Sequence, residues 1–258
     1  MPVLRNMIYF IALLMIGAIT NPGYSQATAS DKIIEKADSL YSNFEEKAAL
    51  EQYKAYLKDH PEHYRSLWRT GYLYSRIGKR LDNEQEQNEY YDSAVEYAER
   101  ALEADSSRVE SNFVMAVAMG RQAMIAGARE RVAASRKIKH YADRAKAIDP
   151  DHAGTLHLLG RWHAKITNLN FAERMAAKYL FGGVPEASVD KALEYMEQAV
   201  ERKPKAILYR YDLAKLYLRL DEEEKATSML KGTVSLKSRI PRDDKLLRKS
   251  RELLEDIG

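Results

Sequence analysis

Apolar and small residues recur along this chain at the three- and four-residue spacings that bring side chains onto one face of an α-helix. The cleanest stretch places Leu213, Ala214 and Tyr217 together, followed nine residues after the tyrosine by Ala226 and then by Leu230. The same register returns upstream as Gly71 and Tyr74 with Ala94, Ala98 and Ala101, as Met115 and Ala116 with Ala142 and Ala145, and as Leu159 and Gly160 with Ala192, Met196 and Ala199. Small side chains at these points let two helix backbones approach to about 8–9 Å. Each second helix meets a stop at His60-Pro61, Asp105-Ser106, Asp149-Pro150 or Lys203-Pro204, because a proline just past a helix cannot continue it.

The spacing matches the tetratricopeptide pattern, in which antiparallel helix pairs stack into a solenoid. An all-α solenoid of this kind is expected, with Gly71, Tyr74, Ala94, Ala116, Ala142, Gly160, Ala192, Ala214, Tyr217 and Ala226 as its packing positions. The intervals from Gly71 to Ala116, Ala116 to Gly160 and Gly160 to Ala214 are 45, 44 and 54 residues, against about 34 for a standard unit. The middle repeats are therefore lengthened. In the longest, Asn168 and Asn170 offer helix caps, Phe171, Met175 and Tyr179 follow at fourfold spacing, and Gly182-Gly183 ends the run. An extra amphipathic helix is predicted there, with Pro185 helping to begin the next repeat helix. Leu246, Leu247, Leu253 and Leu254 among charges predict a C-terminal capping helix from Asp243 to Ile257.

The N-terminus reads differently. Arg5 precedes an apolar run from Met7 to Ile19, Asn21-Pro22-Gly23 breaks it, and Ala27-Thr28-Ala29 offers a small-residue cleavage site. Residues 1–29 are expected to be a signal peptide, or else an uncleaved anchor, and residues 30–258 a single solenoid domain. The run is too short for a hydrocarbon core of about 30 Å. It points to an exported, periplasmic or extracellular address, with membrane anchoring through this segment as the alternative.

Charge and chemistry narrow the function. Of 258 residues, 41 are basic and 38 acidic, a net charge of +3 that supplies no strong field for nucleic acid. With no cysteine, disulfides, thiolate metal sites and cysteine nucleophiles are excluded. Neither "HPEH" at His60–His63 nor "HAGTLH" at His152–His157 has zinc-site spacing, and Gly182-Gly183 lacks the Lys-Ser or Lys-Thr of a phosphate loop. No catalytic, cofactor or metal site is expected. The densest basic region, Arg121, Arg129, Arg131, Arg136, Lys137 and Lys139, suits either a solvated face or a site for phosphate or carboxylate. Arg161, Trp162 and His163 either pack the repeat or line a ligand groove.

The stretch from Val109 to Pro204 contains "MAVAMGR", "DPDHAGTLHLLGRW", "NLNF" and "LFGGVPEAS". These segments resemble the regulator of microtubule dynamics family. The resemblance implies a tetratricopeptide domain, association with microtubules and, in one branch acting at organelle contact sites, a phospholipid held in an apolar concavity. Carried onto this chain, it would set Phe113, Val117, Trp162, Phe171, Met175 and Phe181 around a cavity, with Arg121 or Arg161 on a headgroup, and the helix after Asn170 beside or over the groove. An exported chain would be separated from cytosolic microtubules.

The function expected is a noncatalytic exported scaffold that binds a protein or peptide partner on its concave face. Carriage or sensing of a phospholipid or other amphipath, with membrane proximity, is the alternative, and a microtubule-associated role is the third.

Overall fold

The computed structural model describes residues 29–257, so the predicted signal segment lies almost wholly outside the described residues. Among these there are twelve helices and no strand: α1 (Ala29–Ser42), α2 (Glu46–Asp59), α3 (Tyr64–Gly78), α4 (Glu84–Ala104), α5 (Val109–Ile125), α6 (Ala128–Ile148), α7 (Ala153–Thr167), α8 (Phe171–Phe181), α9 (Val189–Arg202), α10 (Ile207–Arg219), α11 (Glu223–Val234) and α12 (Pro241–Ile257). The expected tetratricopeptide-like solenoid is the fold observed. Helices pair as α1/α2, α3/α4, α5/α6, α7/α9 and α10/α11, and α12 packs on both helices of the last pair.

The small-residue register sets how closely each pair meets. A Cβ added at Gly71 would lie 3.1 Å from the Ala94 carbonyl oxygen and 3.2 Å from the Ala98 nitrogen. At Gly160 it would lie 2.6 Å from Met196 Cγ and 3.1 Å from the Ala192 carbonyl oxygen. Ala94, Ala116, Ala142, Ala192, Ala214 and Ala226 are all fully buried or nearly so. Tyr74 rests against the rings of Tyr90 and Tyr97, and the Tyr217 hydroxyl donates to Glu197 at 2.7 Å. Apolar clusters form between neighbouring helices along the rod, as expected when each repeat touches only the next.

Local chemistry fixes the boundaries. His60, Asp105, Asp149 and Lys203 are the C-caps of α2, α4, α6 and α9. The imidazoles of His63 and His152 cap α3 and α7 in the same way, each Nδ1 accepting from the backbone nitrogen three residues on. The lengthened repeats become 21-residue helices at α4 and α6 and the inserted α8. Asn170 and Glu173 form a reciprocal capping box at the start of α8, and Gly182 closes it with φ +74°. Two details differ from the expectation. Asn168 is the C-cap of α7, and Pro185 lies outside any helix because the Ser188 hydroxyl starts α9 at Val189.

The helices α3, α5, α7, α10 and α12 contact one another in sequence and form an inner row, while α2, α4, α6, α9 and α11 lie outside it. The rod curls until its ends meet. The Arg239 guanidinium, between α11 and α12, sits 4.7 Å from the centre of the Phe44 ring, between α1 and α2. Beneath this junction Phe44, Glu46, Arg80, Ile240 and Arg242 line a cavity of about 310 Å³.

Candidate functional site

The inner row presents a repeating helical stripe. On α3, Arg65, Arg69, Tyr72 and Arg76 follow at intervals of four, three and four residues, so they share one face. Arg65 pairs with Asp38 at 2.9 Å. Arg69 pairs with the same carboxylate and lies over the Tyr41 ring at 4.6 Å. Arg76 and Arg80 share the buried Glu46.

Farther along, α7 and α10 contribute a second polar group. His157 Nε2 is 2.9 Å from Asp212 Oδ2, and its ring stacks on Tyr209 with centroids 4.2 Å apart. Arg161 Nε stands 3.5 Å from the same oxygen. Burial keeps His157 below the usual imidazole range and outweighs the carboxylate. Burial would raise Asp212, yet the His157 hydrogen bond and the Arg161 charge hold it below the usual carboxylate range. The pair is therefore neutral imidazole and carboxylate, with Nε2–H donating.

Three more cations join from other helices: Lys79 just past α3, Arg121 on α5 and Arg242 on α12. Arg121 Nε donates to the Ser75 carbonyl at 3.1 Å, and its Nη1 reaches only Met124 Sδ at 3.7 Å. Among the described residues, no carboxylate stands within ion-pair distance of Lys79, Arg121 or Arg242, and Arg242 Nε is buried without a hydrogen-bond partner. Loss of hydration, then the nearby Arg121 and Arg161, pull the Lys79 ammonium down to about 8. Loss of hydration and the Arg161 charge lower Arg121 to about 10, so it stays charged at neutral pH. Cations from four helical segments thus feel one another across the concavity, opposed chiefly by Asp212 and Glu46.

The nine residues singled out for a groove do not come together. Arg121 and Arg161 face the concavity. Phe113 packs half-buried between Tyr72 and His152, and Val117 is half-buried on the same helix. Trp162 is only 6% exposed, its indole nitrogen donating to the Ser135 carbonyl and hydroxyl at 3.1 Å across the α6–α7 seam. His163, 2% exposed, accepts from the Ser188 backbone nitrogen at 3.2 Å and lies beside Tyr195 on α9. Phe171, Met175 and Phe181 belong to α8, which packs on the outer helix α6, and Arg136 ties its end by donating to the Phe181 carbonyl. The inserted helix therefore stands away from the inner row, with Phe171 78% exposed. In the basic region, Arg129, Arg131, Arg136 and Lys137 are exposed on α6, and only Arg121 turns inward. Sequence reasoning had no signal for Arg76, Lys79, Arg242, His157, Tyr209 or Asp212 as neighbours.

The concavity offers charged and aromatic groups suited to recognition. Among the described residues no group of three or more histidines and carboxylates could hold a metal. The His157 Nε2–H is committed to Asp212.

The family described as regulator of microtubule dynamics protein 1-3 matches residues 33–258. Regulator of microtubule dynamics protein 1 of Bos taurus is 25% identical over 98% of this chain and 83% of its own length. Regulator of microtubule dynamics protein 3 of Xenopus laevis is 28% identical over 79% of this chain, which spans 45% of that longer protein. Among solved structures, a thermophilic tetratricopeptide repeat protein of Thermus thermophilus aligns with a TM-score of 0.64 at 18% identity, over 88% of this chain and 99% of its own. That likeness shows the fold alone.

These relatives correct the expected address. They are eukaryotic proteins named for microtubule dynamics, against which an exported, periplasmic or extracellular location does not stand, and the segment expected as an alternative anchor lies outside the described residues. No helix among the described residues is long and apolar enough to cross a membrane.

Proposed function

We propose a partner-binding function for this chain, which belongs to the regulator of microtubule dynamics family. Residues 30–258 act as one noncatalytic tetratricopeptide-like domain whose concavity receives a segment of another protein. The support is the lining of the inner row, where aromatic faces, paired arginines and guanidiniums without carboxylate partners share one surface. Rigid helices that hold such groups in place lower the ordering cost of binding. Peptides selected from a displayed random library should lose binding when Tyr209 is changed to Glu at the stack with His157. Undiminished binding to Tyr209→Glu would remove the concavity from the account.

The family name supports a second possibility, that the bound partner belongs to the machinery of microtubule dynamics. Cosedimentation with polymerised tubulin, diminished by the same Tyr209→Glu change, is the expected result. Equal sedimentation of both forms would place any microtubule contact elsewhere.

A further inference from the structure

The concavity holds more positive charge than its own carboxylates can satisfy. Asp212 serves both His157 and Arg161, and Glu46 serves both Arg76 and Arg80. Asp243, beside Arg242, accepts from the Arg239 backbone nitrogen. Lys79, Arg121 and Arg242 are left over, on three segments widely separated in sequence and brought together by the curl of the solenoid. Arg121 donates to the Ser75 carbonyl on α3, four residues before Lys79, and Arg242 lines the cavity beside Arg80 and Glu46, so like charges gather on one surface and an arriving anion relieves them.

We propose that the partner segment is acidic, its carboxylates pairing with Lys79, Arg121, Arg161 and Arg242 in the concavity. This deepens the binding function above and rests on it. Guanidinium offers a carboxylate two parallel hydrogen bonds, and Arg121 has donors not taken by any carboxylate. Several cations on different helices suit a chain carrying several carboxylates, whereas a lone anion meets only one or two. Tyr72 and Tyr209, half-buried on α3 and α10, provide aromatic surface for the segment's apolar atoms.

The removal of one of these cations gives a signature that a structural role would not. Lys79→Gln and Arg161→Gln are changes at exposed positions. Each should weaken a fluorescein-labelled decapeptide of alternating Glu and Ser by about tenfold at low salt, while the thermal midpoint of Lys79→Gln, which gives up no ion pair, holds or rises as repulsion is relieved. Affinity for the decapeptide should fall steeply with salt, and the matching Gln-Ser peptide should not bind. Equal binding of the two peptides, with Tyr209→Glu still abolishing it, would overturn the acidic preference and leave the concavity as the binding surface. Binding only to phosphatidic acid vesicles or inorganic phosphate, with the same sensitivity to Lys79→Gln, would overturn the peptide assignment in favour of a phosphate ligand.

Discussion

Arg239 lies over the ring of Phe44 at 4.7 Å and so joins the two ends of the curled rod. Phe44 has φ +62°, a left-handed conformation uncommon for a bulky residue. The backbone there is held at a cost of about 1–3 kcal/mol, and the ring is aimed at the arginine as a result.

Opening that clasp should change shape more than stability. An exposed cation–π contact contributes about 0.5–1 kcal/mol, so Arg239→Ala should leave the melt nearly unmoved while the maximum dimension from small-angle X-ray scattering increases. Phe44→Gly should widen the particle equally, with its thermal midpoint held or raised because glycine accepts the positive φ. Unchanged scattering from both would show that the clasp does not hold the ends.

Two glycines on inner helices should respond to substitution with opposite signs. Gly160→Leu places bulk against the backbone of α9, where even a Cβ meets Ala192 and Met196, and overpacking should cost about 1–3 kcal/mol or more. Gly120 in α5 has nothing within 4 Å of an added Cβ, so Gly120→Ala should stabilise the helix by about 0.5–1 kcal/mol. Urea titrations of the two variants read both effects directly. A stabilised Gly160→Leu would refute the repeat register.

Acid should act through His163. Burial, with Lys139 and Lys191 nearby and only Asp143 in opposition, pulls its imidazole down to about 4. Between pH 6.5 and 4 the unfolded chain then binds the extra proton, so stability is complete above 6.5 and is lost as pH falls toward 4. Protonation also removes the lone pair that accepts from Ser188. His63, His152 and His157 are lowered too and act with the same sign. The distinguishing comparison is His163→Asn, which retains an acceptor and should lose less of its urea midpoint between about pH 7 and pH 5 than the unaltered chain. Equal losses would count against a titrating His163.

The register was readable because packing constraints repeat: Gly71 and Gly160 each sit where a helix backbone meets its partner's carbonyl. The helix stops and the capped insertion at Asn170 were readable for the same local reason. The site was not. Arg161, Trp162 and His163 are adjacent, and a helix turns about 100° per residue, so one reaches the concavity, one the α6 seam and one α9. Nor does a net charge of +3 show that Lys79, Arg121 and Arg242 converge. Their meeting depends on the curvature summed over several repeats, which no single spacing records.

The most direct test replaces Tyr209, in the concavity, or Tyr179, 70% exposed on α8, with the photocrosslinking residue p-benzoylphenylalanine. After illumination with a selected peptide partner, the adduct is expected from position 209 and not from position 179. An adduct from 179 alone would contradict recognition in the concavity.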